Sequence, residues 1–136
     1  MSLRIVRLGT PRLAGEGLRL GTVRRPPRGV KKEDYARRDY YDVWVPELSP
    51  SAELVSWLQS EPITEPRWAR FVQRYRAEMK DAERDRLLAL LAALSRQTDF
   101  SVGCYCETEE HCHRSVLREL FREHGAEMAG AEMAAG

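Results

Sequence analysis

The order of hydrophobic patterns along the chain constrains its fold more than any single residue does. Residues 3–8, 18–23 and 40–45 alternate apolar and polar side chains or concentrate β-branched and aromatic ones, which is typical of short strands. Helical spacing then dominates until a fourth predicted strand at residues 100–106, which a last helix follows. This order predicts an α/β fold with a small central mixed or parallel sheet of about four strands, flanked by about four helices. If the third and fourth strands are neighbours, we expect them to pair in parallel.

Capping residues and apolar stripes place the helices. Ser49 is a suitable N-cap and Pro50 suits the first helical position. A second helix is predicted to begin around residues 64–66 and the last one near His111, with Gly125 as its terminating residue. The positions expected to be buried, from their helical spacing, are Leu54, Trp57, Leu58, Trp68, Phe71, Val72, Tyr75, Met79, Leu87, Leu88, Leu91, Leu94, Val116, Leu117, Leu120 and Phe121.

Length and composition favour one domain. The 136 residues are 43% hydrophobic, enough for the core of a single α/β domain, which we place at residues 1–125. Residues 126–136 form an Ala-, Gly- and Met-rich tail of low complexity. No run of about 18 apolar residues is present, so no membrane span is expected. The N-terminal segment is too charged for a secretory signal, and three cysteines clustered between positions 104 and 112 favour reduced thiols, so we expect a cytoplasmic protein.

Charge is unevenly distributed although the net charge is only +1. Residues 1–40 hold 11 Lys or Arg and 4 Asp or Glu, whereas the remaining residues hold 11 and 17. A basic region beside an acidic remainder can attract anions, or it can be a solvated face. Because the net charge is near zero, nucleic acid is a disfavoured partner.

The most informative segment is the predicted strand-to-helix turn from Cys104 to Arg114. Free backbone N–H groups at the start of a helix favour anions and lower the pKa of a thiol there, which makes Cys112 a candidate reactive group. His113 and Glu107 are candidate proton-transfer groups, and the guanidinium of Arg114 suits a phosphate or carboxylate. The segment therefore predicts a ligand site at the carboxyl edge of the sheet, where ligands of open α/β sheets bind.

Two alternatives to that site stay open. Cys104, Cys106, Cys112 and His113 are ligand types that suit zinc, but they lack the usual Cys-x-x-Cys spacing. If Cys104 and Cys106 both lie in a strand, they share a face. The other alternative is structural, with buried cysteines that behave as small hydrophobic residues. A redox role would instead pair Cys106 with Cys104 or with Cys112.

A second wall of the site is predicted from the basic loop that follows residues 18–23. Arg25, Arg28 and Gly29 lie in this loop, and tyrosines follow it, a composition that can grip phosphates and stack a base. Asp42 and Glu47, in the acidic and aromatic segment that comes next, are further candidates for ligand binding.

Four elements of the chain resemble those of the YeaO-like family, domain of unknown function 488. They are Arg25-Pro-Pro-Arg-Gly-Val-Lys-Lys32, Asp42-x-Trp-x-x-Glu-Leu-x-Pro-Ser51, Phe71-x-x-x-Tyr75-x-x-Glu78 and Cys112-His-Arg114. The resemblance implies a compact, broadly Rossmann-like α/β fold in a bacterial cytoplasmic protein, and it implies no particular reaction. The family's recurring positions fall on Arg28, Gly29, Asp42, Trp44, Glu47, Pro50, Ser51, Cys104, Cys112, His113 and Arg114. Many members carry a glutamate where this chain has Cys106, which makes a carboxylate role for Glu107 doubtful and favours the metal or redox alternative.

The leading hypothesis is therefore a small anionic ligand at the Cys/His/Arg turn, and a nucleotide-like ligand is one candidate. No cofactor is expected under this hypothesis. The alternative is a zinc- or redox-active, or purely structural, Cys/His module without catalysis. The sequence settles neither enzymatic activity nor oligomeric state.

Overall fold

The computed structural model describes residues 1–106 and 109–129, and it contains one parallel sheet with helices around it. The strands are β1 (Leu3–Arg7), β2 (Leu18–Gly21), β3 (Val43–Trp44) and β4 (Phe100–Cys104). The helices are α1 (Ala52–Gln59), α2 (Glu65–Glu78), α3 (Ala82–Leu94) and α4 (His113–Glu123). Short 3-10 turns occupy Lys32–Asp34 and Pro46–Leu48. The predicted α/β class, with four strands and four helices in the described residues, is confirmed.

The sheet has the strand order β1-β4-β2-β3, and every neighbouring pair is parallel. The third and fourth strands, whose adjacency was left conditional, are not neighbours, because β4 inserts between β1 and β2. Since all the strands run the same way, their carboxyl ends meet at one edge. Cys104, Gly21 and Trp44 are the last residues of three of them, so the segments that follow β4, β2 and β3 converge there.

The buried apolar side chains form two clusters. Leu20, Phe100 and Val102 pack with the apolar residues of the helices into the main core. A smaller cluster contains Tyr41 and the cysteines Cys104 and Cys112. Tyr41 lies so close over Gly21 that a Cβ added to the glycine would come within 2.3 Å of the ring. The small cluster therefore carries the thiols at the carboxyl edge.

Three details of the predicted helices are wrong. The N-cap of α1 is Ser51, whose side chain accepts from Leu54 N, and not Ser49. The hydroxyl of Ser49 instead donates to Pro46 O, because a 3-10 turn precedes the helix. Leu94 is 39% exposed, since only one side of α3 faces the core. The last helix begins at His113 and not near His111, whose positive φ of 53° is incompatible with a helix.

The predicted third strand is the one that shortens most, from residues 40–45 to Val43–Trp44. Asp39 adopts a positive φ of 63°, and Tyr41 then leaves the strand direction to pack over Gly21. At the opposite edge, residues 127–129 lie beside β1, where Leu3 N donates to Glu127 O and Ala129 N donates to Leu3 O, both at 2.7 Å. The rest of the predicted tail, residues 130–136, lies outside the described residues. Among the described helices, none combines the length and the apolar character needed to cross a membrane.

Candidate functional site

Three thiols meet where β4 leads into α4. Cys104 ends the strand, Cys112 is the N-cap of the helix, and Cys106 lies in the turn between them. Their sulfur atoms all lie within 4.8 Å of one another, and the Sγ atoms of Cys104 and Cys112 are 2.8 Å apart. Cys104 and Cys112 are buried, whereas Cys106 is exposed. Because β4 ends at Cys104, a shared strand face does not explain this grouping; the turn back to α4 does.

Arg114 lies against the thiols from the first turn of α4. Its side chain is buried, with the residue only 5% exposed, and Nη2 donates to Cys106 O at 2.8 Å. The Nε atom of Arg114 is buried and has no hydrogen-bond partner among the described residues. A buried guanidinium with an unpaired N–H is unfavourable unless an acceptor supplies the bond.

The pKa values of the three thiols are shifted in different directions. Hydrogen bonds from Cys104 and Cys112, aided by the charge of Arg114, lower the pKa of Cys106 well below that of a free thiol. The pKa of Cys112 is lowered too, by its bond with Cys104 and by His113, whereas the bonds with Cys106 and Cys112 and burial raise the pKa of Cys104. A negative charge is therefore favoured at the cluster, and Cys106 is its most accessible sulfur.

His113 interacts with Cys112 and also contacts the backbone that follows β2. Its Nε2 atom lies 2.7 Å from Thr22 O, and since a carbonyl only accepts, Nε2 donates. The ring also meets Tyr75 edge-on, with centroids 5.9 Å apart. The structure thus groups the three cysteines of the proposed ligand set but places the imidazole outside the group of potential metal ligands in the described residues. Glu107, the other candidate proton-transfer residue, lies outside the described residues.

The basic loop, predicted as a second wall of the site, contacts the thiol segment through its backbone. The hydroxyl of Tyr105 donates to Arg25 O at 2.9 Å, so the basic loop lies against the thiol segment. The side chains of Arg25 and Arg28 are exposed, and Gly29 forms part of the turn with a φ of 72°. Arg24, which the sequence did not single out, points to the edge of the sheet, and its guanidinium donates to Ser49 O and Pro50 O.

A cavity of about 240 Å³ lies beside Arg24, and its other lining residues are Ser49, Ser51, Glu78 and Arg84. Both the amide and the hydroxyl of Ser51 donate to the Glu78 carboxylate, at 2.9 and 2.6 Å. Tyr75, which is fully buried, donates from its hydroxyl to Leu48 O at 2.5 Å and meets the His113 ring edge-on. The only signal in the sequence for Tyr75 and Glu78 was the third resemblance element, which was not read as a site.

Asp42 and Glu47, both predicted to bind ligand, make contacts within the protein. The carboxylate of Asp42 accepts two hydrogen bonds from Arg12, at 2.7 and 3.1 Å, and one from Arg19 N. Burial opposes the charge of Asp42, but these bonds lower its pKa overall. The backbone oxygen of Glu47 accepts from Arg84 Nε at 3.0 Å, and the Glu47 residue is exposed.

Comparison with known proteins identifies relatives of the chain. The sequence model of the family DUF488-N3a, described as the active DUF488-N3 subclade, matches residues 3–125. The uncharacterized protein Rv3073c of Mycobacterium tuberculosis (strain ATCC 25618 / H37Rv) is 30% identical over 98 residues, which is 70% of this chain and 72% of the relative. The uncharacterized protein Mb3100c of Mycobacterium bovis matches with the same identity and coverage. No solved structure matches the chain.

Proposed function

The chain belongs to the DUF488-N3a family, and on that premise we propose that it binds a small anionic ligand beside a thiolate at the carboxyl edge of the sheet. Cys106 is the accessible sulfur of this site. The observation that carries the proposal is the grouping of three sulfur atoms within 4.8 Å beside the buried guanidinium of Arg114. The description of the family as an active subclade agrees with a functional site in the matched region.

The thiolate follows from the environment of the sulfurs. A thiolate accepts hydrogen bonds from neighbouring thiols, and a buried cation lowers the free energy of the charged form. Because Cys106 is exposed, its thiolate stays hydrated by solvent, whereas thiolates at the buried Cys104 and Cys112 would not. Cys106 is thus the sulfur that would meet a ligand from solvent, with Cys104 and Cys112 as hydrogen-bond donors behind it.

The preference for an anion follows from the unpaired donor and the neighbouring cations. Arg114 Nε has no acceptor among the described residues, and an anionic oxygen in the turn would supply one. Arg24 and Arg84 line the cavity of about 240 Å³ together with Glu78, so two further cations lie near the sheet edge. Positive charge around a partly closed site raises the local concentration of anions.

Paired alkylating reagents test both parts of the proposal. Iodoacetate and iodoacetamide form the same carbon–sulfur bond with a thiolate and release iodide, but only iodoacetate is an anion. We expect both to modify Cys106 at pH values where free cysteine is largely protonated, with modification mapped by mass spectrometry. The iodoacetate-to-iodoacetamide rate ratio should exceed that of free cysteine and fall toward it in Arg114→Gln.

Arg118→Gln is the matched control, because Arg118 lies one helical turn further along α4 and its charge is offset by Glu109, which accepts from Nε and Nη2 at 2.7 Å, although Nη1 has no partner among the described residues. This variant should keep the ratio of the native chain. A ratio equal to that of free cysteine in the native chain, or loss of the ratio equally in both variants, would contradict the anion site. Modification only at the rate of an ordinary exposed thiol would contradict the thiolate.

A second candidate function, zinc binding by Cys104, Cys106 and Cys112, is favoured by the mutual distances of their sulfur atoms. Three protein ligands leave an open position, as in catalytic zinc sites, and a His113 ring whose Nε2 donates to Thr22 O keeps its Nδ1 lone pair. Zinc added to the chelator-treated protein should then bind with release of protons and protect Cys106 from iodoacetamide. Equal zinc retention by the native chain and Cys104→Ser would exclude this candidate. A redox role of the three cysteines stays a prediction.

A further inference from the structure

A second cavity, of about 210 Å³, lies between β3 and the segment of residues 32–36, and it has aromatic walls. Tyr35, Tyr41 and Trp44 line it, and the first two rings pack with centroids 5.2 Å apart. Trp44 is a large aromatic side chain, and 43% of it is exposed to solvent. Its indole Nε1 donates to Val23 O at 2.8 Å, so the ring is held in place and the cavity stays open.

The volume and the aromatic lining of this cavity restrict the kind of ligand that fits. Its volume lies below the roughly 300 Å³ at which pockets for drug-sized ligands begin, so it suits one flat ring system. Aromatic side chains that line a concave site stack flat rings, including nucleobases, without strong preference among them. An aliphatic ligand would leave the faces of these rings without that stacking.

Charged groups at the same cavity suit the rest of a nucleotide. Lys32 and Glu33 both line it. An ammonium group suits a phosphate, and a carboxylate is a common acceptor for ribose hydroxyls. Asp42 lines the cavity too, and its negative charge would repel a phosphate. Arg12 donates two hydrogen bonds to this carboxylate and neutralises that charge.

We propose that this cavity binds the base of a nucleoside monophosphate against Tyr35 and Trp44, while the ribose and the phosphate lie outside it near the exposed Glu33 and Lys32 at its rim. None of the three cysteines takes part, so this inference goes beyond the proposed function and the two can fail separately. The small cluster of Tyr41 with Cys104 and Cys112 nonetheless makes the aromatic cavity and the thiols neighbours at one edge of the sheet.

Equilibrium dialysis with AMP, GMP, CMP and UMP, and with ribose 5-phosphate as the probe without a base, tests the inference. We expect at least one of the nucleotides to bind and ribose 5-phosphate to bind roughly tenfold more weakly or not at all. Trp44→Ala should weaken nucleotide binding by a similar factor, whereas Trp44→Phe keeps a stacking ring and should retain most of it. Lys32→Ala should weaken AMP more than adenosine.

Trp57→Ala is the matched control, because Trp57 is a half-buried tryptophan on α1 that is covered by Arg67 and Arg74 rather than lining the cavity. It should leave binding unchanged, as should Cys106→Ser. Circular dichroism melting of each variant confirms that it is folded. Binding of none of the four nucleotides, equal binding of ribose 5-phosphate, or equal effects of Trp44→Ala and Trp57→Ala would overturn the inference, whatever the reactivity of Cys106.

Discussion

Two buried polar clusters lie on the same sheet, and they differ in whether their hydrogen bonds are complete. In the first, the Arg19 and Glu16 side chains are each 1% exposed and form two hydrogen bonds, at 2.8 and 3.0 Å. Arg19 also donates to the backbone oxygens of Thr10 and Asp39, and Ser101 donates to Glu16 at 2.7 Å. All three nitrogens of this guanidinium have partners. In the second cluster, Arg114 Nε lies near three thiols and has no hydrogen-bond partner in the part of the chain that the structure describes.

This difference separates a structural cluster from a candidate site. The Glu16–Arg19 pair links β2 to β4 through Ser101 and leaves no donor on Arg19 Nε for a ligand, so its removal should affect folding alone. The thiol cluster has an exposed sulfur and an unsatisfied donor, so it can gain a partner from solution. The comparison predicts large stability effects without chemical effects in the first cluster, and the reverse in the second.

The largest effect is expected from Arg19→Met. The substitution leaves the buried Glu16 carboxylate without its cation, which typically costs about 3–5 kcal/mol of unfolding free energy. Urea denaturation measures the loss, and the iodoacetamide reactivity of Cys106 should not change in the fraction that remains folded. Arg12→Met is the control, because the half-exposed pair with Asp42 should contribute only about 1 kcal/mol or less. Equal losses in the two variants would contradict the structural role of Arg19.

Arg114→Gln is expected to lower the unfolding free energy by less, about 1–3 kcal/mol. The substitution removes the hydrogen bond to Cys106 O. It also removes the Nε donor, which has no partner among the described residues, and this limits the loss. The same variant should raise the apparent pKa of Cys106, since the cation that favours its thiolate is gone. The pH dependence of iodoacetamide alkylation measures that shift. An unchanged pH profile together with a large loss of stability would place Arg114 with the structural cluster.

Acid should act on the Glu16–Arg19 cluster in a defined direction. Burial opposes the charge of Glu16, but its bonds with Arg19, Ser101 and Leu13 N lower the pKa below the ordinary value near 4.5. The stability that these bonds supply is therefore present above pH 4.5 and is lost as the pH falls through the lowered pKa. Thermal melting from pH 6 downward should show this acid limb in the native chain and a flatter one in Glu16→Gln; parallel curves would count against the assignment.

The smallest stability change is expected from Cys106→Ser, within about 0.5 kcal/mol, because Cys106 is exposed. Its chemical effect should be the most complete, with loss of fast alkylation by iodoacetamide. A Cys104→Ser variant provides the contrast, since that thiol is buried and replacing it should lower the melting temperature. If Cys106→Ser destabilised the protein as much as Cys104→Ser, the exposed sulfur would have a structural role.

Local patterns predicted much of the fold. The apolar spacing of α2 and α4 placed Phe71, Tyr75, Leu117 and Phe121 in the core, where the structure has them. The strand-to-helix turn was also recognisable, because the strand predicted over residues 100–106 and the helical stripe after Cys112 are both local signals. The N-cap of α1 was misplaced by two residues because Ser49 and Ser51 are both suitable capping residues, and the 3-10 turn that decides between them is not encoded in capping preference.

The sequence by itself determined which segments are strands and helices, and that three thiols and an arginine lie in one short turn. Only the tertiary structure decided the order β1-β4-β2-β3, the burial of the Glu16–Arg19 pair, and the contact of His113 Nε2 with Thr22 O. The physical reason is range: hydrophobic periodicity reports on residues a turn or a strand apart, whereas strand order and the pairing of buried charges depend on contacts between distant segments. Ser101 and Glu16, which are 85 residues apart, meet only because β4 lies beside β2.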